Sequence, residues 1–138
     1  VISIEYSKQH LKNISFGLTQ SIGADPPEVI TISNDGQTTY SLTKNGYSEP
    51  DTKYQLSKDE VKRLTALIKE TGFMEMPKTS YQVKSDLNEY EKFGLQVTLD
   101  GKSINVQWPD QNSTQEFIPP LINEVQNSLD GVIAEIIK

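Results

Sequence analysis

The sequence predicts an α+β domain: an antiparallel sheet of four to five strands with two helices packed on one face, in the element order (β)ββ(β)αββα. Two observations carry that prediction. Residues 93–108 alternate apolar and polar side chains on both arms of an Asp100-Gly101 turn, the pattern of a hairpin with one dry and one wet face. Residues 57–72 and 118–137 repeat apolar side chains at helical spacing. A sheet that is apolar on one side must be covered there, so both helices belong on that side and the other stays in water.

Residues 1–27 read as an N-terminal segment and residues 28–138 as a single α+β domain. Val1, Ile2 and Ile4 are too sparse to fix an element, whereas Ile14, Phe16 and Leu18 alternate ahead of Gly23-Ala24-Asp25-Pro26-Pro27. One strand is therefore expected over 13–20, with a loop after it. Glu28 to Thr43 reads as a hairpin about Asn34-Asp35-Gly36. A two-residue turn would set Ile30 against Ser41, whereas a three-residue turn with Gly36 left-handed sets Ile30 against Tyr40 and keeps one face apolar. Asn45-Gly46 turns the chain again, and Tyr47 to Leu56 supplies a further strand that Pro50 confines to an edge.

The first helix has the fullest set of signals. Ser57 and Glu60 form a capping box, Asp59 and Glu60 load the first turn, and Val61, Leu64, Leu67 and Ile68 share a stripe. Gly72 supplies a left-handed end, and Pro77 prevents the helix from resuming. Residues 78–90 form the longest polar connection and are expected to be a mobile loop. In the second hairpin, a two-residue turn at Asp100-Gly101 opposes Val97 to Ile104, Leu95 to Val106 and Phe93 to Trp108. The last helix opens at Pro119-Pro120 and continues through Leu121, Ile122, Val125, Leu129, Val132, Ile133 and Ile136. Gly131 weakens it, so a bend or a close neighbour is expected there.

Composition narrows the function classes. The 138 residues include 13 basic and 19 acidic side chains, for a net charge of −6. Phosphate binding needs a basic footprint, and the sole adjacent basic pair is Lys62-Arg63, so nucleic acid is not an expected partner. Leu, Ile, Val and Phe make up 36 residues, enough for one core, and no apolar run approaches the roughly 20 residues of a bilayer span. The absence of cysteine removes disulfides, thiolate catalysis and zinc–sulfur sites. Ser, Thr, Asn and Gln total 42 residues, which together with the missing cysteines suits a protein exposed outside a prokaryotic cell. Val1 is not an initiator methionine, so a processed segment is expected to precede it. The sequons at Asn13 and Asn112 are what chance supplies in so polar a chain.

The residues offer little chemistry. His10 is the single histidine and stands in no motif. A metal site would have to use oxygen ligands, and the nearest set, Asp86, Glu89 and Glu91, lacks calcium-loop spacing and reads as a solvated acidic face. No pair of carboxylates stands out for glycoside hydrolysis, no G-x-S-x-G elbow occurs, and the glycines do not form a phosphate cradle. No catalytic residue, no metal and no cofactor are therefore expected. Binding needs only shape, and tyrosine is favoured where proteins meet. Tyr47 and Tyr81, flanked by polar residues in predicted loops, are the candidate partner-binding side chains. Trp108-Pro109 could present an aromatic edge, but the pairing with Phe93 assigns Trp108 to the core.

Taken together, the Asn34-Asp35-Gly36 hairpin, Leu56-Ser57-x-x-Glu60-x-x-x-Leu64, Gly72-Phe73-Met74-Glu75-Met76-Pro77, the Tyr90-to-Trp108 hairpin and the proline-opened helix resemble the small ββαββα domains of the emfourin type. Emfourin inhibits thermolysin-type metalloproteases such as protealysin, and similar domains occur in exported proteins and lipoproteins. The resemblance spans residues 28–137 and rests on caps and turns, and it transfers no inhibitory residue. It implies an extracytoplasmic, non-enzymatic module that binds a protein, with inhibition of a thermolysin-type metalloprotease as one use. Loops 44–52 or 78–90 would then enter the protease cleft. A structural subunit of a cell-surface layer or appendage is the alternative. The monomer, or weak self-association, is the expected state.

Overall fold

The structure, a computed structural model, describes the backbone of residues 1–16, 19–24, 28–44, 47–48, 50–84 and 87–137, and the side chains of residues 1–11, 28–42, 50–84 and 87–137. Its longest strand comes from the segment that was least legible. β1 (Ile2–Phe16) is followed by β2 (Thr19–Ala24), β3 (Glu28–Ile32), β4 (Gln37–Ser41), β5 (Thr43–Lys44), β6 (Tyr47–Ser48) and β7 (Thr52–Gln55). Helix α1 (Lys58–Thr71), a 3-10 turn at Phe73–Glu75, β8 (Glu89–Leu99), β9 (Lys102–Pro109), a second 3-10 turn at Gln111–Ser113 and α2 (Pro120–Ile136) complete the chain.

The main sheet runs β7-β4-β3-β1-β8-β9, with β2 as a seventh strand on the far half of β1. All of its strand pairs are antiparallel. The α+β class and the two helices agree with the sequence reading, and the expected four to five strands are corrected upward. The difference is β1, which lies between β3 and β8, with Ile4 opposite both Ile32 and Val97. The strand expected over 13–20 is also corrected. Residues 13–16 end β1 and residues 19–20 begin β2, with Phe16 opposite Thr19. Alternation alone cannot tell a straight strand from two arms of a hairpin, because both preserve the period of two.

Both hairpin registers follow from turn chemistry. Asp100 (φ 51°) and Gly101 (φ 83°) are left-handed, and Phe93↔Trp108, Leu95↔Val106 and Val97↔Ile104 pair as expected. At the other hairpin Gly36 (φ 88°) closes the three-residue turn and sets Ile30 opposite Tyr40. The strand expected from 47 to 56 divides around Pro50: β6 joins β5 in a separate ribbon, and β7 forms an edge of the main sheet.

Inward-facing side chains of β1, β3, β4, β8 and β9 form one core with Leu64, Ile68, Ile122, Val125, Leu129 and Ile133 of the helices. Trp108 belongs to that core, as its pairing requires. The opposite face carries a polar row, Lys53, Thr39, Thr31, Glu5, Gln96 and Asn105, that crosses six of the seven strands, all but β2. Helix α1 starts in the predicted capping box and ends at left-handed Gly72. In α2, Gly131 is exposed with nothing close to it, so the expected close neighbour is not found.

Where the core-facing alternation of β1 turns polar, α2 answers it. The Tyr6 hydroxyl donates to Asp130 at 3.2 Å and accepts from Gln126 Nε2 at 3.0 Å, while Lys8 Nζ lies 2.6 Å from Asp130. Burial, reinforced by the Asp130 charge, pushes the Tyr6 phenol above its ordinary range, so it stays a neutral donor. Tyr40 likewise donates to Glu28 at 2.6 Å. The Tyr6 and Lys8 contacts tie sheet to helix, the Tyr40 contact ties β4 to β3, and both tyrosine hydroxyls are satisfied.

Candidate functional site

The site is built from the end of α1, the segment after it and the entry to α2. Gly72 ends α1, Phe73 is fully buried, and Pro77 sends the chain along the edge of β9. The connection expected to be a mobile loop is tied down over 78–84. Gln107 N–H donates to Thr79 O at 2.9 Å, Lys84 N–H to Ser113 O at 2.8 Å, and Gln82 N–H to Glu116 Oε2 at 2.6 Å. Lys78 pairs with the other Glu116 oxygen. A polar segment covering an edge strand satisfies backbone groups that would otherwise offer themselves to another chain.

The carboxylate at the centre of these ties responds to pH. The Lys78 ammonium, and then the Gln82 N–H, hold the Glu116 carboxyl below the ordinary carboxylate range. A carboxylate depressed in the fold contributes stability above its unfolded pKa, and that contribution is lost as pH falls through the depressed value. Glu116→Gln is therefore expected to lower the hydrogen-exchange protection of the Gln82 amide at neutral pH and to change little in strong acid. Equal protection of both proteins at neutral pH would refute the tie.

Between this segment and α2 lies an apolar groove of about 250 Å³, lined by Met76, Pro77, Tyr81, Phe117, Pro119 and Leu121 among others. Phe117 is 75% exposed while its neighbour Ile118 is 3% exposed. The cause is local. Gln111 reaches across the loop, donating through Nε2 to Glu116 O at 2.8 Å and accepting at Oε1 from Ile118 N–H at 3.0 Å. With the backbone held on both sides and Ile118 turned inward, Phe117 faces water. Lys78 Nζ lies 5.0 Å from the centroid of the Tyr81 ring, which closes that side of the groove.

The two candidate tyrosines occupy different places. Tyr81 lines the groove but is only 9% exposed, so it is a wall and not the projecting side chain expected. It belongs to the core cluster, and Lys78 covers its ring. Tyr47 lies on β6, opposite Lys44 in the separate ribbon, and its side chain is outside the described residues. Phe117 was missed by sequence reasoning; its signal was an aromatic residue ahead of Pro119-Pro120 that fitted neither a strand alternation nor the α2 stripe.

Of the acidic set, Asp86 lies outside the described residues and Glu89 Oε1 is 3.1 Å from His10 Nε2. Among the described residues, no group of three His, Asp or Glu side chains is placed to hold a metal ion. Nor is any helix among them long and apolar enough to cross a membrane. The sequence matches no protein-family model and no curated protein.

Proposed function

We propose that this is an extracytoplasmic, non-enzymatic domain that binds a partner protein through Phe117 and the groove beside it. The observation that supports the reading is the fixed exposure of Phe117, 75% open to water while Gln111 holds the backbone on both sides of it. An aromatic side chain on backbone that is already held has less freedom to lose when a partner covers it, and aromatic residues often dominate binding energy at interfaces. The resemblance to emfourin-type domains suggests the partner class, a thermolysin-type metalloprotease, and is the ground for proposing a location outside a prokaryotic cell. In that version the 78–84 segment and Phe117 form the edge that meets the protease.

The test uses purified wild type and Phe117→Ala, each immobilised and exposed to the secreted and surface proteins of its own organism and to a panel of metalloproteases. Wild type is expected to retain a specific partner, and Phe117→Ala to weaken that retention by about tenfold or more with its melting temperature unchanged. Equal retention by both proteins would sink the reading. A surface-layer or appendage subunit is the second reading, favoured by the open polar face of the sheet. Concentration-dependent assembly of the purified chain, unaffected by Phe117→Ala, would put that reading first.

A further inference from the structure

A second surface lies on α1, lined in part by the tip of the β3–β4 hairpin. There a groove of about 630 Å³ is lined by Lys58, Lys62 and Lys69, with Val61 and Ala66 as apolar surface and Asp35 as the one acid. In a chain of net charge −6, three lysines gathered on one groove are a local reversal of sign. They share a single stripe of the helix, the side turned away from buried Leu64 and Ile68.

Lys69 suits the last turn of the helix, but Lys58 and Lys62 do not serve it. Lys58 and Lys62 are like charges four residues apart on one face, and Lys58 stands in the first turn, where the helix dipole disfavours a cation. None of the ion pairs formed among the described residues uses Lys58, Lys62 or Lys69. The opposing acid is already engaged: Asp35 Oδ1 accepts from Ser33 Oγ at 2.6 Å and from Gln37 N–H at 3.0 Å. The wall is held as well, because Asn34 Oδ1 accepts from Ile2 N–H at 3.0 Å.

From this arrangement we infer that the groove binds an extended acidic segment of a partner protein, with carboxylates at its first, third and seventh positions, which share one face of an extended chain. The spacing argues for it. Along the helix axis, Lys62 and Lys69 stand about 6 Å and about 16.5 Å from Lys58. On an extended chain, the third and seventh residues share the face of the first and lie about 6.6 Å and about 19.8 Å from it, and the roughly 3 Å difference at Lys69 is within the swing of a four-carbon side chain. Lysines strung along a row match charges strung along a peptide. A single phosphate would call for converging donors or an arginine fork, and Arg63 is not among the lining residues. Ala66, about 12 Å along the helix from Lys58, leaves room for a small apolar side chain at the fifth position, which faces the groove about 13 Å from the first. This surface is separate from the Phe117 groove, and its occupation does not depend on the function proposed for that groove.

The test is fluorescence anisotropy with a labelled peptide Asp-Leu-Asp-Thr-Ala-Thr-Asp and the intact protein at low salt. Saturable binding is expected, weakened by about tenfold or more by Lys62→Glu and progressively by added salt. Lys53→Glu, a change of equal charge on the far face of the sheet, should weaken it much less. Circular dichroism of Lys62→Glu, whose side chain is exposed, checks that the helix persists. Absence of saturable binding by wild type, or equal losses from Lys62→Glu and Lys53→Glu, would overturn the inference. Tighter binding of polyphosphate or a single-stranded oligonucleotide than of the peptide would also overturn it, by making the groove a general polyanion surface.

Discussion

Trp108→Ala is expected to lower the unfolding free energy by about 3–5 kcal/mol, the largest loss of any single truncation proposed for this domain. Trp108 is 2% exposed on β9, and its ring stacks on Phe93 with centroids 5.7 Å apart and planes inclined by 29°. Truncation removes that contact and leaves a cavity next to an edge strand. The neighbouring segment is pinned through Gln107, so it cannot readily collapse into the space. Because the chain has a single tryptophan, fluorescence reports unfolding of the wild type but not of the variant, and urea denaturation followed by circular dichroism serves both. A loss below about 1 kcal/mol would mean that the ring is not a core member. Trp108→Phe, which keeps an aromatic ring against Phe93, should recover much of the stability.

Gly36→Ala and Gly101→Ala form the second prediction, because both glycines are left-handed and only one is crowded. A Cβ at Gly36 would lie 2.4 Å from the Leu56 carbonyl oxygen and 2.8 Å from Gln55 Nε2, whereas at Gly101 it would meet nothing within 4 Å. Left-handed backbone costs a non-glycine residue about 1–2 kcal/mol, and Gly101→Ala should cost about that much. Gly36→Ala must also displace backbone. Leu56 N–H donates to Gly36 O at 2.9 Å, and Leu56 is followed by the Ser57 cap of α1, so the displacement loosens the hairpin tip and the helix start together. Its total is expected at about 2–4 kcal/mol. Thermal or urea unfolding of the two variants beside wild type measures the difference, and equal losses would show that the close approach to Leu56 is not a constraint.

The contrast between these glycines marks how far sequence reasoning reached. Both positive backbone angles were legible, since the apolar pattern on each side of the turns allowed only one register. The approach of Gly36 to Leu56 was not, because it joins residues whose proximity depends on β7 pairing with β4. The same holds at the candidate site. Proline and glycine marked the end of α1 and the start of α2, but the groove exists only because Gln111 and Glu116 hold two loops together. Tyr81 in a polar stretch read as exposed, and its burial depends on joining a core built from segments distant in sequence.

Turns, caps and periodicity act over a few residues, and for that reason the two hairpins, the two helices and the one-sided sheet could be derived from the chain alone. A capping box or an Asp-Gly turn imposes its geometry whatever lies beyond it. The place of β1 is of a different kind. Ile2, Ile4 and Tyr6 alternate too briefly to declare a strand, and Lys8 and His10 interrupt the apolar side. The strand becomes central because Ile4 meets Ile32 and Val97, and because Asp130 of α2 receives Tyr6 and Lys8. Those partners are distant in sequence, and burial against them repays the entropy of closing long loops only once the whole sheet has assembled. Phe117 follows the same logic in reverse: its exposure is set by bonds its neighbours make across the loop.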